Sequence, residues 1–513
     1  MEKLPKFIIY YICSYLNNNN VLGLSITCTF LREKISKYIF DNFYLDLTLI
    51  KISSVNIRRN IPQEFSNQFK KIRANFLEDV NPAITHLDLN IDRKINFSGR
   101  NNLTHLNMMS CFPQVIFICL DYLTNLSFDN RFNKPVFLKL PRLSVLTFGK
   151  SFNQQIDLNY LPNLTDLIFG DDFNQRINIS GTKLQNLEFG ESFNQSVDFA
   201  NLTLSRLVFG DYYSQEIKFN TENLKYLKIG NRFQSSICAK KLVYFSGCVD
   251  PPFKLSTGPD LKYLKINGMD FEKINHANLL ELTLDFIRFN SDLFVNQQFL
   301  TRLELGNEFN EELILYTPNL IELKFGRCFN KSFDLKNLIN LKYLSFGNRF
   351  NKKIDISNTK IENLCFGADF DKSLELIPSL IFLRLGEEFS HCLDLTVAPK
   401  LEYLDCGEAF NWPIDLSHNI YLKHLAFGNK FNQELDLSNN IRLEELIFGR
   451  DFNQELDLNL EVLGFLRFGK MFDKKISLKN LPNLYEVQFP KKYPYYFNED
   501  ELNQFLRNEK RYF

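Results

Sequence analysis

A unit of about 20 residues recurs along most of this chain, and it constrains the fold more than any other feature of the sequence. The stretch LPRLSVLTFGKSFNQQIDL, which begins at Leu140, aligns with LPNLTDLIFGDDFNQRINI, which begins at Leu161. The glycine after the LxxLxF pattern recurs at steps of 19 to 21 residues, as at Gly149, Gly170 and Gly190. Repetition at a short fixed period is the signature of a solenoid, in which each coil packs on its neighbours.

The repeat extends from about Ile84 to Pro490, which corresponds to about 21 coils. Two regular runs of this anchor glycine are separated by a degenerate stretch between residues 231 and 300. The anchor positions that we assign in the degenerate stretch are Gly247, Gly268 and Asp285.

The period of the apolar residues within one coil indicates β structure. A coil of 20 residues is too short for a pair of helices, which needs roughly 33 residues or more. Leu167 and Phe169 alternate with Ile168, and Asp157 stands between two apolar residues in the same way. This alternation predicts two short strands in each coil, stacked in parallel ~4.8 Å from those of the next coil. The anchor glycine either adopts a positive φ or allows the next backbone to approach closely.

Phenylalanine accounts for 52 of the 513 residues, and the repeat explains much of this excess. One phenylalanine stands three residues after the anchor, as in Phe152 and Phe173, and another stands directly before it, as in Phe169. Asparagine follows the first of these, as in Asn153 and Asn174. We interpret the phenylalanines as a stacked spine in the core. The asparagines, whose amides both donate and accept, are interpreted as a ladder that satisfies the turns between coils.

An acidic residue occupies the middle of the IDL segment in seven consecutive coils. These residues are Asp334, Asp355, Glu375, Asp394, Asp415, Asp436 and Asp457, which we call the acidic column. Alternation places their carboxylates on the outside, about 5 Å apart, where like charges repel. The carboxylates either accept hydrogen bonds from turn amides and pair with nearby lysines, or form a stripe for a basic partner segment or a divalent cation. The acidic column is therefore a candidate partner-binding site.

The outward position within LxxLxF, by contrast, differs from coil to coil. It is occupied by Lys228, Glu304, Arg384 and Asp405 in different coils. A fixed apolar frame with a variable exposed row is typical of a recognition surface.

Charge and motif content exclude several functional classes. Lysine plus arginine and aspartate plus glutamate number 60 each, and no basic block is available for nucleic acid. The ten cysteines stand singly, without zinc-ligand spacing, and no HExxH, GxSxG or P-loop motif occurs. The N-terminal MEKLPKF lacks the features of a secretion signal, and no apolar run reaches the ~20 residues of a membrane span. We expect a soluble, intracellular, non-enzymatic protein without cofactor or metal.

The two ends of the chain depart from the repeat. Apolar residues at helical spacing predict two or three short helices within residues 1–45, too small for a core of their own. These helices either cap the first coil or dock onto another protein. Residues 46–83 are predicted to be a linker or N-terminal cap. Asn498 and Glu501 have the spacing of a capping box, which predicts a C-terminal capping helix within 491–513.

The string LPKFIIYYICSYLNNNNVLGLSITCTFLREKI, which begins at Leu4, resembles an F-box. Phe7 stands where an acidic residue is usual, and Val21 with the preceding asparagine run replaces the usual Asp-Leu. The repeat, with its FNQxI core, resembles the FNIP repeat, a relative of leucine-rich repeats. Together the two resemble the F-box and FNIP repeat-containing proteins of giant DNA viruses of amoebae; FNIP repeats also occur in social amoebae.

The resemblance implies a leucine-rich-repeat-like parallel β solenoid at residues 84–490, in coils of 20–21 residues, behind an α-helical F-box. It also implies that the F-box docks onto the adaptor of a cullin-RING ubiquitin ligase, in the host cytoplasm or nucleus. The solenoid would then present a protein substrate, and neither nucleic acid nor a membrane would be a partner. The residues that would contact the adaptor are Leu4, Pro5, Ile8, Ile12, Leu16 and Leu24.

Two other functions remain open. One is a protein-binding repeat scaffold without a ubiquitin role, in which the N-terminal helices act only as a cap. The other is an enzyme, because some parallel β-helices use clustered carboxylates to cleave polysaccharides. Acid–base catalysis, however, requires a single pair of carboxyl groups with separated pKa values rather than one long row.

Overall fold

The computed structural model describes residues 44–46, 71–74, 83–90, 97, 99–109, 115–199, 202–217, 221–248, 255–268, 278–286 and 297–495. These residues form short parallel strands joined by turns, and the 3-10 turn Leu395–Val397 is the one helical segment within them. The predicted mainly β, leucine-rich-repeat-like solenoid is confirmed. Residues 1–43 and 496–513, within which the terminal helices are predicted, lie outside these ranges.

The chain divides into two compact units. The first comprises residues 1–242, 246–248 and 252–257, and the second comprises residues 243–245, 249–251 and 258–513. The strands up to residue 257 are β1 Tyr44–Asp46, β2 Lys71–Ala74, β3 His86–Leu89, β4 His105–Met108, β5 Ile116–Cys119, β6 Asn125–Phe128, β7 Val136–Lys139, β8 Val145–Thr147, β9 Asp166–Ile168, β10 Asn186–Glu188, β11 Arg206–Val208, β12 Tyr226–Lys228, β13 Ile237–Ala239, β14 Tyr244–Cys248 and β15 Leu255–Thr257.

Within the first unit, β1, β2, β3, β4, β6, β8, β9, β10, β11 and β12 pair in parallel in that order. Two smaller pairs, β5 with β7 and β13 with β15, lie outside this ladder. The ladder begins before the predicted boundary at residue 84, because β2 lies within 46–83 and pairs directly with β3.

The second unit continues with one strand per coil. These strands are β16 Tyr263–Gly268, β17 Glu281–Phe286, β18 Arg302–Leu305, β19 Glu322–Phe325, β20 Tyr343–Ser345, β21 Asn363–Cys365, β22 Phe382–Arg384, β23 Tyr403–Asp405, β24 His424–Ala426, β25 Glu445–Ile447, β26 Phe465–Arg467 and β27 Glu486–Gln488. Each pairs in parallel with the next, and the second leucine of one LxxLxF segment lies opposite that of its neighbour, as Leu404 lies opposite Leu425.

The register of the degenerate stretch differs by one residue from the prediction at two anchors. Asn267, and not Gly268, lies opposite Asp285 in the β16–β17 pair. In the coil before it, Cys248 takes the position that the sequence assigned to Gly247. The buried apolar residues define the frame of the repeat. In both coils the prediction placed the anchor on a glycine that stands next to the anchor position, which shifted the predicted register by one residue.

The second predicted strand of each coil is mostly absent. Among the described residues, the segment corresponding to IDL forms paired strands only as β5 with β7 and β13 with β15. Alternating burial is nevertheless retained, since Asp436 is exposed and Leu437 is buried. The Asp436 carboxylate accepts the backbone N–H of Ser438 at 2.9 Å. In the coils where such turns form, this hydrogen bond from a side chain to the backbone two residues on competes with a sheet ladder.

The aromatic spine is confirmed in both units. The ring of Phe173 lies 3.8 Å from that of Phe169 in its own coil and 5.9 Å from that of Phe193 in the next. Phe431 and Phe452 of the second unit stack in the same way, at 6.0 Å. All five rings are buried. The spine is therefore a continuous stack of core side chains within each regular run of coils.

The asparagine ladder is also confirmed, and it explains the glutamine of the FNQ motif. Oδ1 of Asn153 accepts the backbone N–H of Asn174 and Nε2 of Gln175, both at 3.0 Å. In the second unit, Oδ1 of Asn411 accepts the backbone N–H of Asn432 at 2.9 Å. Each of these asparagines thus satisfies a backbone donor of the following coil, and also a side-chain donor where that coil carries the glutamine.

The anchor glycines are required by a close approach between coils. A Cβ at Gly428 would lie 2.1 Å from the carbonyl oxygen of Gly407 and 2.2 Å from Cα of Glu408. Gly428 does not have a positive φ, so the second of the two explanations for the anchor applies there. No other amino acid fits at this position unless the backbone moves.

Candidate protein-interaction surfaces

The outward side chains of the LxxLxF strands form one surface in each unit, which we call the strand face. Every strand contributes the residue before its second leucine and the residue after it, as Glu322 and Lys324 do on β19. The variable row predicted from the sequence lies on this surface. Many of its charges pair with one another, since Nζ of Lys324 lies 2.5 Å from Glu322 and Nε of Arg302 lies 3.6 Å from it.

A cluster of stacked rings marks the strand face of the second unit. The rings of Phe382 and Tyr403 stack at 4.1 Å, and those of Tyr403 and His424 stack at the same distance. The Arg384 guanidinium donates to the Tyr403 hydroxyl at 3.0 Å and lies 3.5 Å from the carboxylate of Asp405. Exposed aromatic and arginine side chains dominate the binding energy of many protein interfaces. This cluster therefore has the composition of a protein-binding site.

The strand face of the first unit combines the same three groups. The guanidinium of Arg206 lies 3.9 Å from the ring centroid of Tyr226 and 3.2 Å from the carboxylate of Glu188. These residues come from the adjacent strands β12, β11 and β10. A guanidinium held between an aromatic ring and a carboxylate is thus a recurring arrangement on the surface of this chain.

The acidic column lies on another side of the coil, and its seven residues are exposed as predicted. Five of its carboxylates accept the backbone N–H two residues further on, which confirms for them the interpretation based on turn amides. These five are Asp334, Asp355, Asp394, Asp415 and Asp436.

Hydrogen bonds lower the pKa of four carboxylates of the acidic column, those of Asp334, Asp355, Asp415 and Asp436. The ammonium of Lys336, 2.9 Å from the carboxylate, donates to Asp334 and lowers its pKa. Hydrogen bonds from Ser357 lower the pKa of Asp355, while the neighbouring charge of Asp334 opposes this. Asp334 and Asp355 therefore remain ionised at neutral pH despite the repulsion between them.

A groove of about 980 Å³ follows the first four carboxylates of the acidic column. Its charged lining residues are Asp334, Lys336, Lys353, Asp355, Glu375 and Asp394. The groove carries both signs of charge, with the acids in excess. This arrangement can accept an extended segment with basic side chains, and the column remains a candidate partner-binding site.

The corresponding outward position in the first unit carries an apolar surface that the sequence analysis missed. Phe117 of β5 and Phe137 of β7 are 67% and 56% exposed, and their rings stack at 4.8 Å with an angle of 8° between the planes. The same position in the next coil is Asp157, near the exposed Tyr160, and all four residues line a cavity of about 860 Å³. We call these four residues the aromatic shelf. Phenylalanine in an outward position of the IDL frame was the available signal.

The predicted adaptor-contact residues Leu4, Pro5, Ile8, Ile12, Leu16 and Leu24 lie outside the described residues. Where the structure describes the chain, no group of three or more histidine, cysteine, aspartate or glutamate side chains is arranged to hold a metal ion. Within the same ranges, no helix has the length and apolar character needed to cross a bilayer.

Comparison with known proteins supports the fold. No protein-family model matches the chain, and no curated protein matches it. The chain is similar to the crystal structure of CroV588, described as a novel circular leucine-rich-repeat protein, with 26% identity and a TM-score of 0.57. That match covers 87% of this chain and 82% of the other.

Two further structures are less similar to this chain. The functional domain of InlJ from Listeria monocytogenes is 22% identical over 64% of this chain and 70% of that chain, with a TM-score of 0.36. YopM from Yersinia enterocolitica is 16% identical over 79% of this chain and 88% of that chain, with a TM-score of 0.43. The chain has the fold of a leucine-rich-repeat-like solenoid, which is the architecture of a protein-binding repeat scaffold.

Proposed function

We propose that this chain is the substrate-recognition subunit of a cullin-RING ubiquitin ligase. In this proposal the F-box-like residues 1–45 dock onto the ligase adaptor, and the strand face of the solenoid binds the protein substrate. The observation that supports substrate binding is the contrast between the buried frame and the strand face. The frame is nearly invariant, whereas the residues of the strand face change from coil to coil. Catalysis would be supplied by the partner subunits.

Adaptor docking is supported by the F-box resemblance of the sequence that starts at Leu4. Burial of an apolar side chain contributes roughly 1.5–3 kcal/mol, so a charge placed among the contact residues should abolish docking. The residues proposed to contact the adaptor are Leu4, Pro5, Ile8, Ile12, Leu16 and Leu24.

A pull-down from amoeba lysate tests the ligase role. The intact chain should recover the adaptor and cullin, and the double variant Leu4→Asp, Ile8→Asp should lose both. Ile314→Asp is the matched control, because Ile314 is 58% exposed in the solenoid and tolerates a charge. If the intact chain recovers neither protein, the ligase role is wrong, and the chain functions as a repeat scaffold without it.

The acidic column is proposed as a second contact surface for a partner with a basic segment. The combined variant Asp394→Asn, Asp415→Asn, Asp436→Asn and Asp457→Asn removes four of its charges while it keeps the acceptor oxygens. We expect weaker binding of the recovered partner. Unchanged affinity for both the partner and calcium would contradict any binding role of the column.

A further inference from the structure

We propose that the aromatic shelf binds an arginine side chain of a partner protein, with the guanidinium stacked on Phe137 and paired with the carboxylate of Asp157. This inference goes beyond the proposed function, because the shelf residues belong neither to the strand face nor to residues 1–45. It does not depend on adaptor docking.

The first argument is that only one face of the Phe137 ring has an aromatic neighbour among the described residues. Phe117 covers one face of this ring, at a centroid distance of 4.8 Å, and no other ring contact of Phe137 is found among the described residues. Neighbouring coils stack along one direction, so the second face is turned towards the next coil, where the outward residue is Asp157. Aspartate is much shorter than phenylalanine. The stack therefore ends at Phe137, beside a cavity of about 860 Å³.

The second argument is that the carboxylate of Asp157 is available to pair with a cation. One of its oxygens, Oδ1, accepts the backbone N–H of Asn159 at 2.9 Å. Within the part of the chain that the structure describes, Asp157 has no ion-pair partner. The carboxylate lines the same cavity as the face of Phe137 and is exposed. A planar cation in the cavity would therefore meet an aromatic face and a carboxylate at once, which is the combination that guanidinium groups prefer.

The third argument is that the chain already builds this arrangement with its own arginines. Arg206 stacks at 3.9 Å on Tyr226 and pairs at 3.2 Å with Glu188. Arg384 combines the same groups differently: it pairs at 3.5 Å with Asp405 and donates at 3.0 Å to the Tyr403 hydroxyl, with its guanidinium 5.7 Å from the ring centroid. The aromatic shelf has the ring and the carboxylate on neighbouring coils, but no arginine of the described residues lines its cavity.

Lysine and aromatic side chains are the competing occupants. A lysine can pair with Asp157, but its compact ammonium lacks the planar surface that stacks on a ring. An aromatic side chain can stack on Phe137 but leaves the carboxylate unpaired. Lys139, two residues after Phe137 on β7 and on the same side of the strand, also lines the cavity and would repel an incoming cation.

Fluorescence anisotropy with the full chain and three labelled glycine–serine peptides tests this proposal. The peptides carry two arginines, two lysines or two phenylalanines. We expect the arginine peptide to bind ~2–5-fold more tightly than the lysine peptide. Phe137→Leu and Asp157→Asn should each weaken arginine binding by about the same factor, and Lys139→Gln should strengthen it. Asp172→Asn removes an exposed carboxylate outside the shelf, the strand face and the acidic column, so it is the control and should have no effect.

The outcomes separate the occupants. Equal affinity for arginine and lysine peptides, or arginine binding unchanged by both Phe137→Leu and Asp157→Asn, would overturn the proposal. Tightest binding of the phenylalanine peptide would assign the shelf to an aromatic side chain and also overturn it. Thermal unfolding of each variant shows that the fold is intact, and Lys139→Gln gives a gain of affinity that damage to the fold cannot imitate.

Discussion

The middle position of the IDL frame holds phenylalanine in two coils of the first unit and an acid in seven coils of the second, and the backbone differs with it. Phe117 and Phe137 lie on paired strands and expose their rings. Asp415 and Asp436 instead accept the N–H groups of Ser417 and Ser438, and no paired strand forms there. The spine and the asparagine ladder are the same in both regions. In these coils the outward residue changes the surface chemistry and the local hydrogen bonds while the frame stays constant.

The largest expected loss of stability tests whether the two units share the same buried frame. Phe173→Ala in the first unit and Phe431→Ala in the second should each destabilise their unit by about 3–5 kcal/mol, because both rings are fully buried in the spine. Chemical denaturation monitored within each unit measures the loss. A large effect in one unit with almost none in the other would contradict a common frame.

The asparagine ladder should give the next largest effect. Asn174→Ala and Asn432→Ala each remove the acceptor for a backbone N–H of the following coil, at Asn194 and Asn453. An unsatisfied polar group costs about 1–3 kcal/mol, and we expect similar losses in the two units. Gln155→Ala, at an exposed position outside the ladder, is the control. A loss no larger than that of the control would contradict the ladder.

The acidic column should contribute less, and only in the second unit. The hydrogen bonds from Ser417 hold the pKa of Asp415 below its ordinary value of 3.8. A folded-state pKa that is depressed stabilises the protein above the unfolded pKa, and this contribution is lost as the pH falls through the folded value. Asp415→Ala should lower the melting temperature at pH 6, and the difference from wild type should shrink below about pH 4. A difference independent of pH would contradict this role of the carboxylate.

The smallest effect is expected at the aromatic shelf. Phe137→Leu should change the free energy of unfolding by no more than about 0.5 kcal/mol, because the ring is more than half exposed. The matched substitution Phe173→Leu, in the buried spine, should cost clearly more. A loss at Phe137 as large as that at Phe173 would show that the shelf is part of the core and not a surface.

Much of the fold could be predicted from the sequence because few residues define it. The Leu164–Leu167–Phe169 spacing fixes which side chains are buried, and the period of the repeat fixes the parallel stacking. The anchor register failed at Gly247 and Gly268, where glycine stands beside the anchor position and not in it.

The candidate surfaces were less predictable. The acidic column could be recognised in the sequence because seven coils repeat it. Phenylalanine takes the same outward position in only two coils, at Phe117 and Phe137, where it resembles an ordinary strand residue. Their exposure depends on which face of the coil they occupy. The strand-face cluster depends on contacts between coils, such as the stacking of Tyr403 on His424, that a single repeat does not reveal.

Hydrogen exchange at residue resolution tests most directly the claim that the outward aspartates order the local backbone. The amides of Ser417 and Ser438 should be protected in the wild-type chain and should exchange faster in the double variant Asp415→Ala, Asp436→Ala. The amides of β7 and of the LxxLxF strands should not change in that variant. Unchanged protection of Ser417 and Ser438, or a loss of protection along whole strands, would contradict the account.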